Sequence, residues 1–242
     1  MFHVEHLGPV ARLAFDRPDR RNALTPASLA ALATEARAAT EAGARAIVLA
    51  GEGRSFCAGF DLTLCKDDPN AMRELLIGLS RAIVTLRTLS TPVVAAVQGA
   101  AIAGGAALLG GADVVVADRD AMIGYPVVKI GVSPAVSAPF MRHSIGDGPT
   151  RARLLDTELI TGQRAYELGL VHELVDSRDD VAPRALELAQ ELAAKPPGAL
   201  AATKSWCNEL GDTSPAQRAL EVSLSLTGGQ EEQELLEKVW SS

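Results

Sequence analysis

Short apolar runs alternate with longer segments of helical spacing through most of the chain. The apolar runs are bounded by turn-forming residues, as is typical of strands, and cover residues 10–15, 46–50, 92–97, 113–117 and 121–124. Helical spacing predicts one helix from Thr25-Pro26 to about residue 42 and another over residues 69–89. Because strands and helices alternate, we expect an α/β fold with covered sheets.

The pattern changes near residue 179, beyond which no strand signal remains. Helical spacing continues over residues 181–194, 197–210, 215–226 and 231–240. We therefore expect a core formed by residues 1–178, followed by a helical region formed by residues 179–242.

The composition is that of an ordinary globular protein. Apolar residues make up 48% of the 242 positions and charged residues 22%, which excludes a disordered or collagen-like chain. Only 4% are aromatic, and 23 basic against 30 acidic residues give a net charge of −7, so nucleic acid is not an expected partner. The longest apolar stretch, residues 93–117, contains Gln98, Asp113 and five glycines, which favours buried core over a membrane span.

Cysteine usage and the N-terminal residues predict a cytoplasmic protein. The three cysteines cannot all pair with one another and form no CxxC motif, which favours a reduced state. The first six residues lack the basic-then-apolar layout of a signal peptide.

Two glycine-containing segments, Ser55–Leu62 and Gln98–Ala107, each follow a predicted buried strand. Glycine at such a point either lets a helix pack closely on a strand or lets a ligand approach the backbone. Two backbone amides converging from these segments would form an oxyanion hole for a carbonyl that becomes negatively charged. Dinucleotide binding is less favoured, since neither a GxGxxG motif nor a P-loop lysine is present.

The chain resembles the crotonase superfamily, the enoyl-CoA hydratase/isomerase family, through short pieces spread over nearly its whole length. None of the pieces is specific alone, but together they are. The pieces are Arg21–Leu24, Ala46–Leu49, Ser55–Leu62, Pro92–Gly99, Ile102–Gly105, Ala112-Asp113, Lys129–Val132, Thr161-Gly162 and Ala165–Val171.

This resemblance implies a crotonase-like ββα spiral with two roughly perpendicular sheets and a C-terminal helical trimerisation region. Family members are usually homotrimers or dimers of trimers, and they act on acyl-CoA thioesters. No separate cofactor is implied, because coenzyme A is part of the substrate. Exposed apolar positions in the tail are consistent with assembly, although packing within one chain is the alternative; they are Val222, Leu224, Leu226, Leu235, Leu236, Val239 and Trp240.

The resemblance also implies the site residues. The amides of Phe60 and Gly104 correspond to the oxyanion hole, and the Ala58–Leu62 loop, including Asp61 and Leu62, would run beside the adenine. Arg21 corresponds to a basic position that often approaches the CoA phosphates. Asp61 matches an acidic position that we expect to be structural.

The chain departs from the family at the positions that transfer protons. In hydratases two glutamates flank the α,β carbons, and the corresponding residues here are Ala107 and Val127. An aspartate used by some other members would fall near Ala135 and is also missing. The electrostatic half of the site is therefore kept, while the usual proton-transfer half is absent.

Other residues offer alternatives that the sequence leaves open. Tyr125 is either a proton donor or an amphipathic wall residue. His143 is either near the pocket or on the surface. Ser133 and Ser137 fit loop-forming roles.

Two further residues, His172 and Cys57, are not expected to take part in a reaction. His172, in a strand pattern, is expected to be structural, and Cys57 to be a small buried residue, because no base to activate its thiol can be placed. A metal is not implied, since no set of His, Cys and Asp has ligand spacing.

The expected function is therefore an acyl-CoA enzyme with atypical chemistry. Hydration of a 2-enoyl-CoA is the family default, but the missing acids fit decarboxylation, thioester hydrolysis or isomerisation better. Whether the chain catalyses a reaction at all stays open. A non-catalytic acyl-CoA-binding or partner-subunit protein is the alternative.

Overall fold

The computed structural model describes residues 2–211 and 215–241. Nine strands run β1 (Phe2–Leu7), β2 (Val10–Phe15), β3 (Ala46–Gly51), β4 (Val93–Val97), β5 (Ala100–Ile102), β6 (Val114–Asp118), β7 (Met122–Gly124), β8 (Ile160–Thr161) and β9 (Glu173–Val175) among these residues. Their helices are α1 (Pro26–Glu41), α2 (Leu64–Asp67), α3 (Ala71–Thr88), α4 (Gly104–Leu108), α5 (Ala138–Ile145), α6 (Asp147–Leu155), α7 (Gly162–Leu168), α8 (Val181–Ala193), α9 (Pro197–Leu210), α10 (Ala216–Leu224) and α11 (Gln230–Trp240).

Two sheets form the framework. The larger has the order β1-β2-β3-β4-β6-β9, in which β1 pairs antiparallel with β2 and the following neighbours are parallel. The smaller has the order β5-β7-β8. In parallel strands the carboxyl ends meet at one edge, where ligands of α/β sheets bind. The segments that follow β3 and β4 are the two glycine-containing segments, so the topology brings both to that edge.

The predicted elements are confirmed, from the β2 strand to the C-terminal helices. Thr25 is the N-cap of α1, as the sequence predicts. The Thr25 side chain accepts from the Ser28 amide, and the Ser28 hydroxyl accepts from the Thr25 amide. The fold class is α/β as predicted. β1, β5 and the α5–α7 segment had no clear signal in the pattern.

Both faces of the larger sheet are covered. α1 and α3 pack on one face, around a core that includes Leu13, Leu49 and Ile83. α8 lies on the other face and buries Val181, Ala185, Ala189 and Ala193. The first helix after the predicted boundary at residue 178 thus packs on strands of the core; the boundary itself stays a prediction.

α11 lies across the molecule against the Ser55–Leu62 segment. Leu236 is buried, and the Trp240 indole donates a hydrogen bond to the Leu62 carbonyl at 3.1 Å. The backbone of Glu232 packs so closely on Gly131 that a Cβ there would lie 2.9 Å from the Glu232 Cα. Part of the apolar surface of the tail is thereby used within one chain, while Val222 and Leu226 remain exposed.

Candidate active site

The two glycine-containing segments lie directly against each other. The Cys57 amide donates to the Ala100 carbonyl, and the Ile102 amide donates to the Cys57 carbonyl, both at 3.0 Å. A Cβ at Gly105 would lie 2.4 Å from the Cys57 carbonyl oxygen, and one at Gly59 would lie 3.0 Å from the Ala103 Cβ. Glycine is therefore required for this close packing, and the packing brings the two segments to one place.

The Phe60 amide has no acceptor among the described residues. The backbone groups on either side of Phe60 are bonded to Leu24: the Gly59 carbonyl accepts from the Leu24 amide at 2.7 Å, and the Asp61 amide donates to the Leu24 carbonyl at 2.9 Å. In this parallel bridge the Phe60 N–H points away from Leu24. It is thus left available on the opposite side.

The Gly104 amide is also unpaired within the described part of the chain. Gly104 is the first residue of α4, and the first N–H groups of a helix have no acceptor inside the helix. A Cβ at Gly104 would lie 2.9 Å from the Phe60 ring, so these two residues are in contact. The two residues that carry these unpaired amides come from different segments, and both line the same cavity.

Ala103, immediately before Gly104, has a strained backbone. Its φ is +52° and its ψ is −114°, although it carries a Cβ. The Ala103 amide donates to the Gly124 carbonyl at 2.8 Å, which helps to hold this conformation. Strain of this kind is found where a site must fix a backbone group in one orientation.

The cavity that these segments border has a volume of about 520 Å³. Its lining includes the residues predicted as the site and as the missing acids, among them Ala58, Phe60, Leu62, Gly104, Ala107, Tyr125 and Val127. The structure therefore brings these positions together around one cavity, although the first and last of them, Ala58 and Val127, are 69 residues apart in the sequence.

The charge on the cavity wall is sparse. Ala107 is buried and Val127 is half-buried, and both present only hydrocarbon. Among the described lining residues there is no carboxylate, and the charged ones are Lys129 and Lys238, both exposed. The Lys129 ammonium lies 3.4 Å from a carboxylate oxygen of Glu158.

Tyr125 is the buried hydroxyl nearest in the sequence to the missing acid at Val127. It is 5% exposed and lines the cavity. Burial raises the pKa of Tyr125, and a side-chain hydrogen bond with Ser137 opposes that rise without offsetting it. The phenol thus keeps its proton at neutral pH. Ser137 also lines the cavity, as does Ser133, whose hydroxyl accepts from the Ala135 amide at 3.3 Å.

A buried polar network that sequence reasoning missed supports the Phe60 side of the site. Asn22 is 1% exposed with φ +56°, and its side-chain amide donates to the Glu52 and Ser55 carbonyls at 2.9 and 2.8 Å. The signal was available, because asparagine is among the residues that tolerate this left-handed conformation. Asn22 thereby fixes the start of the Ser55–Leu62 segment.

The Asp61 carboxylate is bonded to other side chains of the chain. Its carboxylate accepts from the Arg17 guanidinium at 2.9 Å and from the Thr63 hydroxyl. Burial raises the pKa of Asp61, but the hydrogen bonds from Thr63 and Arg17 and the charge of Arg17 together bring it below its usual value. Asp61 is not among the cavity-lining residues.

Arg21 lies beside the site without lining the cavity. It is exposed with φ +50°, and its carbonyl accepts from the Ala58 amide at 3.0 Å. This contact places Arg21 next to the Ala58–Leu62 loop.

The remaining candidates are accounted for structurally. His143 is exposed, on α5, and outside the cavity lining. The Nδ1 of His172 accepts from the Val115 amide at 2.9 Å, which is a structural role. Cys57 is fully buried, and burial raises its pKa to about 12, so its thiol is not a nucleophile at neutral pH.

Residues 2–211 and 215–241 contain no group of three or more His, Cys, Asp or Glu arranged to hold a metal ion. No helix among these residues is long and apolar enough to cross a bilayer.

Two sheets followed by C-terminal helices, with unpaired amides at the glycine segments, are features that comparisons with known proteins assign to one family. The sequence profile of the family described as enoyl-CoA hydratase/isomerase matches residues 5–236. The chain belongs to this enoyl-CoA hydratase/isomerase family. A crystal structure of an enoyl-CoA hydratase/isomerase from Xanthobacter autotrophicus Py2 is similar, with a TM-score of 0.90 and 28% identity over 100% of this chain and 93% of that chain.

Two curated relatives show that the family includes more than one reaction. A 2,3-dehydroadipyl-CoA hydratase of Escherichia coli is 34% identical over 81% of this chain and 76% of its own length. An indene-carboxyl-CoA hydrolase of Mycobacterium tuberculosis is 33% identical over 72% of this chain and 71% of its own length.

Proposed function

We propose that this protein polarises the thioester carbonyl of an acyl-CoA with the backbone amides of Phe60 and Gly104. The observation that carries the proposal is that two residues with unpaired amides, from different segments, line one apolar cavity. Amides that are fixed before the reaction stabilise negative charge on a carbonyl oxygen without having to reorient. The family and its CoA-ester relatives support a thioester as the acceptor.

The walls of the cavity argue against efficient hydration. Adding water across a double bond requires groups that deliver water and transfer a proton at neighbouring carbons. Ala107 and Val127 can do neither, and no carboxylate lies among the described lining residues. A reaction that forms an enolate without a strong base fits this site better.

Decarboxylation of a malonyl-type CoA ester meets this condition. The bond between the α carbon and the carboxylate breaks, CO₂ leaves, and the electron pair passes into a thioester enolate. The enolate oxygen accepts hydrogen bonds from the Phe60 and Gly104 amides. Apolar surroundings favour neutral CO₂ over the charged carboxylate that precedes it.

Tyr125 supplies the proton in this proposal. The α carbon of the enolate is a much stronger base than a phenolate, so a protonated tyrosine can donate to it. Burial keeps the Tyr125 hydroxyl protonated, and Ser137 orients it. The phenolate that remains takes a proton from water, which restores the site for the next cycle.

Hydrolysis is the second candidate, because one relative is named as a carboxyl-CoA hydrolase. It requires an activated water, for which the described lining residues offer no base. The other relative is named a 2,3-dehydroadipyl-CoA hydratase, and dehydroadipyl-CoA is a dicarboxylic CoA ester, so an ester of this class should also be tested.

We further propose that the CoA nucleotide lies at the mouth of the cavity. Lys129 and Lys238 are exposed there, and Arg21 lies beside the Ala58–Leu62 loop, so these positive charges lie near the expected path of the phosphates.

Assembly as a homotrimer or a dimer of trimers is a further part of the proposal, and a monomeric mass in solution would contradict it.

Incubation with a panel of CoA esters tests the function. The purified protein is mixed with 2-enoyl-, malonyl-type and saturated acyl-CoAs, and products are followed by mass spectrometry. We expect loss of CO₂ from a malonyl-type ester and no hydration of crotonyl-CoA at ordinary rates. Binding without any product would favour the non-catalytic acyl-CoA-binding alternative, whereas ordinary crotonyl-CoA hydration would contradict the proposal.

A further inference from the structure

Resting on the thioester site proposed above, we propose that the cavity selects acyl groups with an apolar tail and rejects those whose tail carries a carboxylate at the end remote from the thioester. The carboxylate of a malonyl-type ester is bonded to the α carbon beside the thioester, so this exclusion does not apply to it. The inference concerns the end of the cavity that lies farthest from solvent. It depends on which way a bound ester must point and on what the wall offers at that end.

The exposure of the lining residues fixes the direction of the ligand. Lys129, Lys238 and Val239 are exposed and mark the mouth. A CoA nucleotide is large and highly charged, so it stays at the mouth rather than entering an apolar cavity of about 520 Å³. With the thioester at Phe60 and Gly104, the acyl tail must point toward the closed end.

The closed end is built from aliphatic side chains. α3 contributes Met72, Leu76 and Leu79, each 3% exposed. The segment after β7 contributes Val132 and Val136, which are 5% and 3% exposed. None of these side chains can donate a hydrogen bond or balance a charge.

The polar side chains that line the cavity near this end are neutral hydroxyls. Tyr125 and Ser137 share a side-chain hydrogen bond, and the Ser133 hydroxyl accepts from the Ala135 amide. Lys129 is exposed and faces Glu158 at 3.4 Å. A carboxylate at the end of an acyl tail would therefore be buried with no positive charge to balance it.

The energetic consequence differs sharply for two tails of equal length. A methyl terminus gains from leaving water, by roughly a three- to fourfold tighter affinity for each buried CH₂. A carboxylate loses its hydration and finds no opposite charge in exchange, and burial of an uncompensated charge is among the costliest burials a ligand can undergo. The wall therefore discriminates by charge more strongly than by length.

Leu76 is the residue on α3 best suited to test the wall, because its neighbour provides a control. Leu75 and Leu76 are both buried, but only Leu76 lines the cavity, while Leu75 packs in the core of the sheet and helices. The same substitution at the two positions removes the same atoms from side chains that lie about 100° apart around the helix.

The primary test compares hexanoyl-CoA with adipoyl-CoA on the unmodified protein. The two esters have six acyl carbons and differ only in the terminal carboxylate. Calorimetric titration should give at least about 100-fold tighter binding of hexanoyl-CoA. Equal affinities would overturn the inference and leave the thioester site standing, whereas failure of both esters to bind would contradict the thioester site itself.

A second test uses Leu76→Ala and Leu75→Ala, each checked for folding by circular dichroism. Space created by Leu76→Ala should raise the affinity ratio of octanoyl-CoA to hexanoyl-CoA by about tenfold, since two more CH₂ groups can be buried. Leu75→Ala should lose stability and leave the ratio unchanged. An unchanged ratio in Leu76→Ala, or equal changes in both variants, would contradict the assignment of the closed end.

Discussion

One wall of the cavity carries backbone amides held in fixed positions, and the other carries hydrocarbon where proton-transfer groups are needed. On the first wall, the pairing of Cys57 with Ala100 and Ile102 fixes the segments that hold Phe60 and Gly104. On the second wall, Ala107 and Val127 offer no polar atom beyond the backbone. In the proposed mechanism, stabilising an enolate and moving a proton are therefore separate tasks carried by different walls.

The two walls also differ in what supports them. The amide wall rests on buried polar contacts, including Asn22 to the Glu52 and Ser55 carbonyls and Asp61 to Arg17. Such networks specify one arrangement when every member is satisfied. The hydrocarbon wall rests on packing, which tolerates substitution more readily. Variants of each wall should therefore fail in different ways.

The largest effect is expected from Tyr125→Phe, because it removes the one proposed proton donor. The rate of decarboxylation should fall by roughly 10²–10⁴-fold, while the affinity for a saturated acyl-CoA stays within about threefold. Steady-state rates and calorimetry measure the two quantities. Tyr166→Phe, at the other tyrosine, which is 47% exposed on α7, is the matched control and should change neither. An unaffected rate in Tyr125→Phe would remove Tyr125 from the mechanism.

Gly105→Ala should damage the amide wall. The new Cβ would lie 2.4 Å from the Cys57 carbonyl oxygen, so the two segments must separate and the Gly104 amide must move. Loss of one oxyanion-hole donor lowers turnover by roughly 10²–10³-fold in other enzymes, and we expect a similar loss.

Gly198→Ala provides the control for that variant. A Cβ at Gly198 on α9 meets nothing within 4 Å, so this change should leave turnover and stability nearly unchanged. Wild-type turnover in a folded Gly105→Ala protein would contradict the role given to the segment contact.

Val127→Glu should sharpen the comparison by placing an acid on the hydrocarbon wall. Val127 lines the cavity and is half-buried, so a carboxylate there can reach a bound 2-enoyl-CoA. Crotonyl-CoA hydration should rise by at least about tenfold over wild type. Val128→Glu, at the adjacent residue that is 43% exposed and outside this cavity, should give no gain. Absence of a gain at Val127 would mean that the acid position is misplaced.

The smallest effect is expected from Asp61→Asn, which weakens the support of the amide wall. Removing the charge that faces Arg17 should lower the free energy of unfolding by roughly 1–3 kcal/mol at pH 7. Thermal or denaturant unfolding measures this. Asp19→Asn, at a side chain that is 79% exposed, should have almost no effect.

Asp61→Asn should also change how the stability of the protein depends on pH. The pKa of Asp61 is lower in the folded protein than in an unfolded chain. Its contribution to stability is therefore complete above the unfolded value of about 4 and is lost as the pH falls through the folded pKa. Asp61→Asn should flatten this acid limb of the stability curve, and an unchanged limb would assign it to other carboxylates.

The elements with a strong local signal could be predicted from the sequence. The Thr25-Pro26 start of α1 follows from capping chemistry that acts within one helical turn. Phe60 and Gly104 could be predicted because they match the oxyanion-hole positions of the family that the chain resembles, and both residues line the cavity. Ala107 and Val127 could be identified as departures for the same reason.

What the sequence could not supply depends on contacts between distant residues. β5 is three residues of alanine and isoleucine between glycines, and it becomes a strand only by pairing with β7. For Leu235 and Val239 the sequence left both assembly and packing within one chain open, and both line the cavity on α11, whose Trp240 donates to the Leu62 carbonyl. The Trp240–Leu62 hydrogen bond joins residues 178 positions apart, and such a contact produces no periodic pattern in the sequence.

The central claim is that the Phe60 and Gly104 amides act on one thioester oxygen. Isotope-edited infrared spectroscopy of hexanoyl-CoA labelled with ¹³C at the carbonyl carbon measures this directly. The account predicts that the carbonyl stretch of the bound ester moves to lower wavenumber than in water, and that Gly105→Ala abolishes the shift. A bound ester whose carbonyl stretch stays at its value in water would contradict the claim.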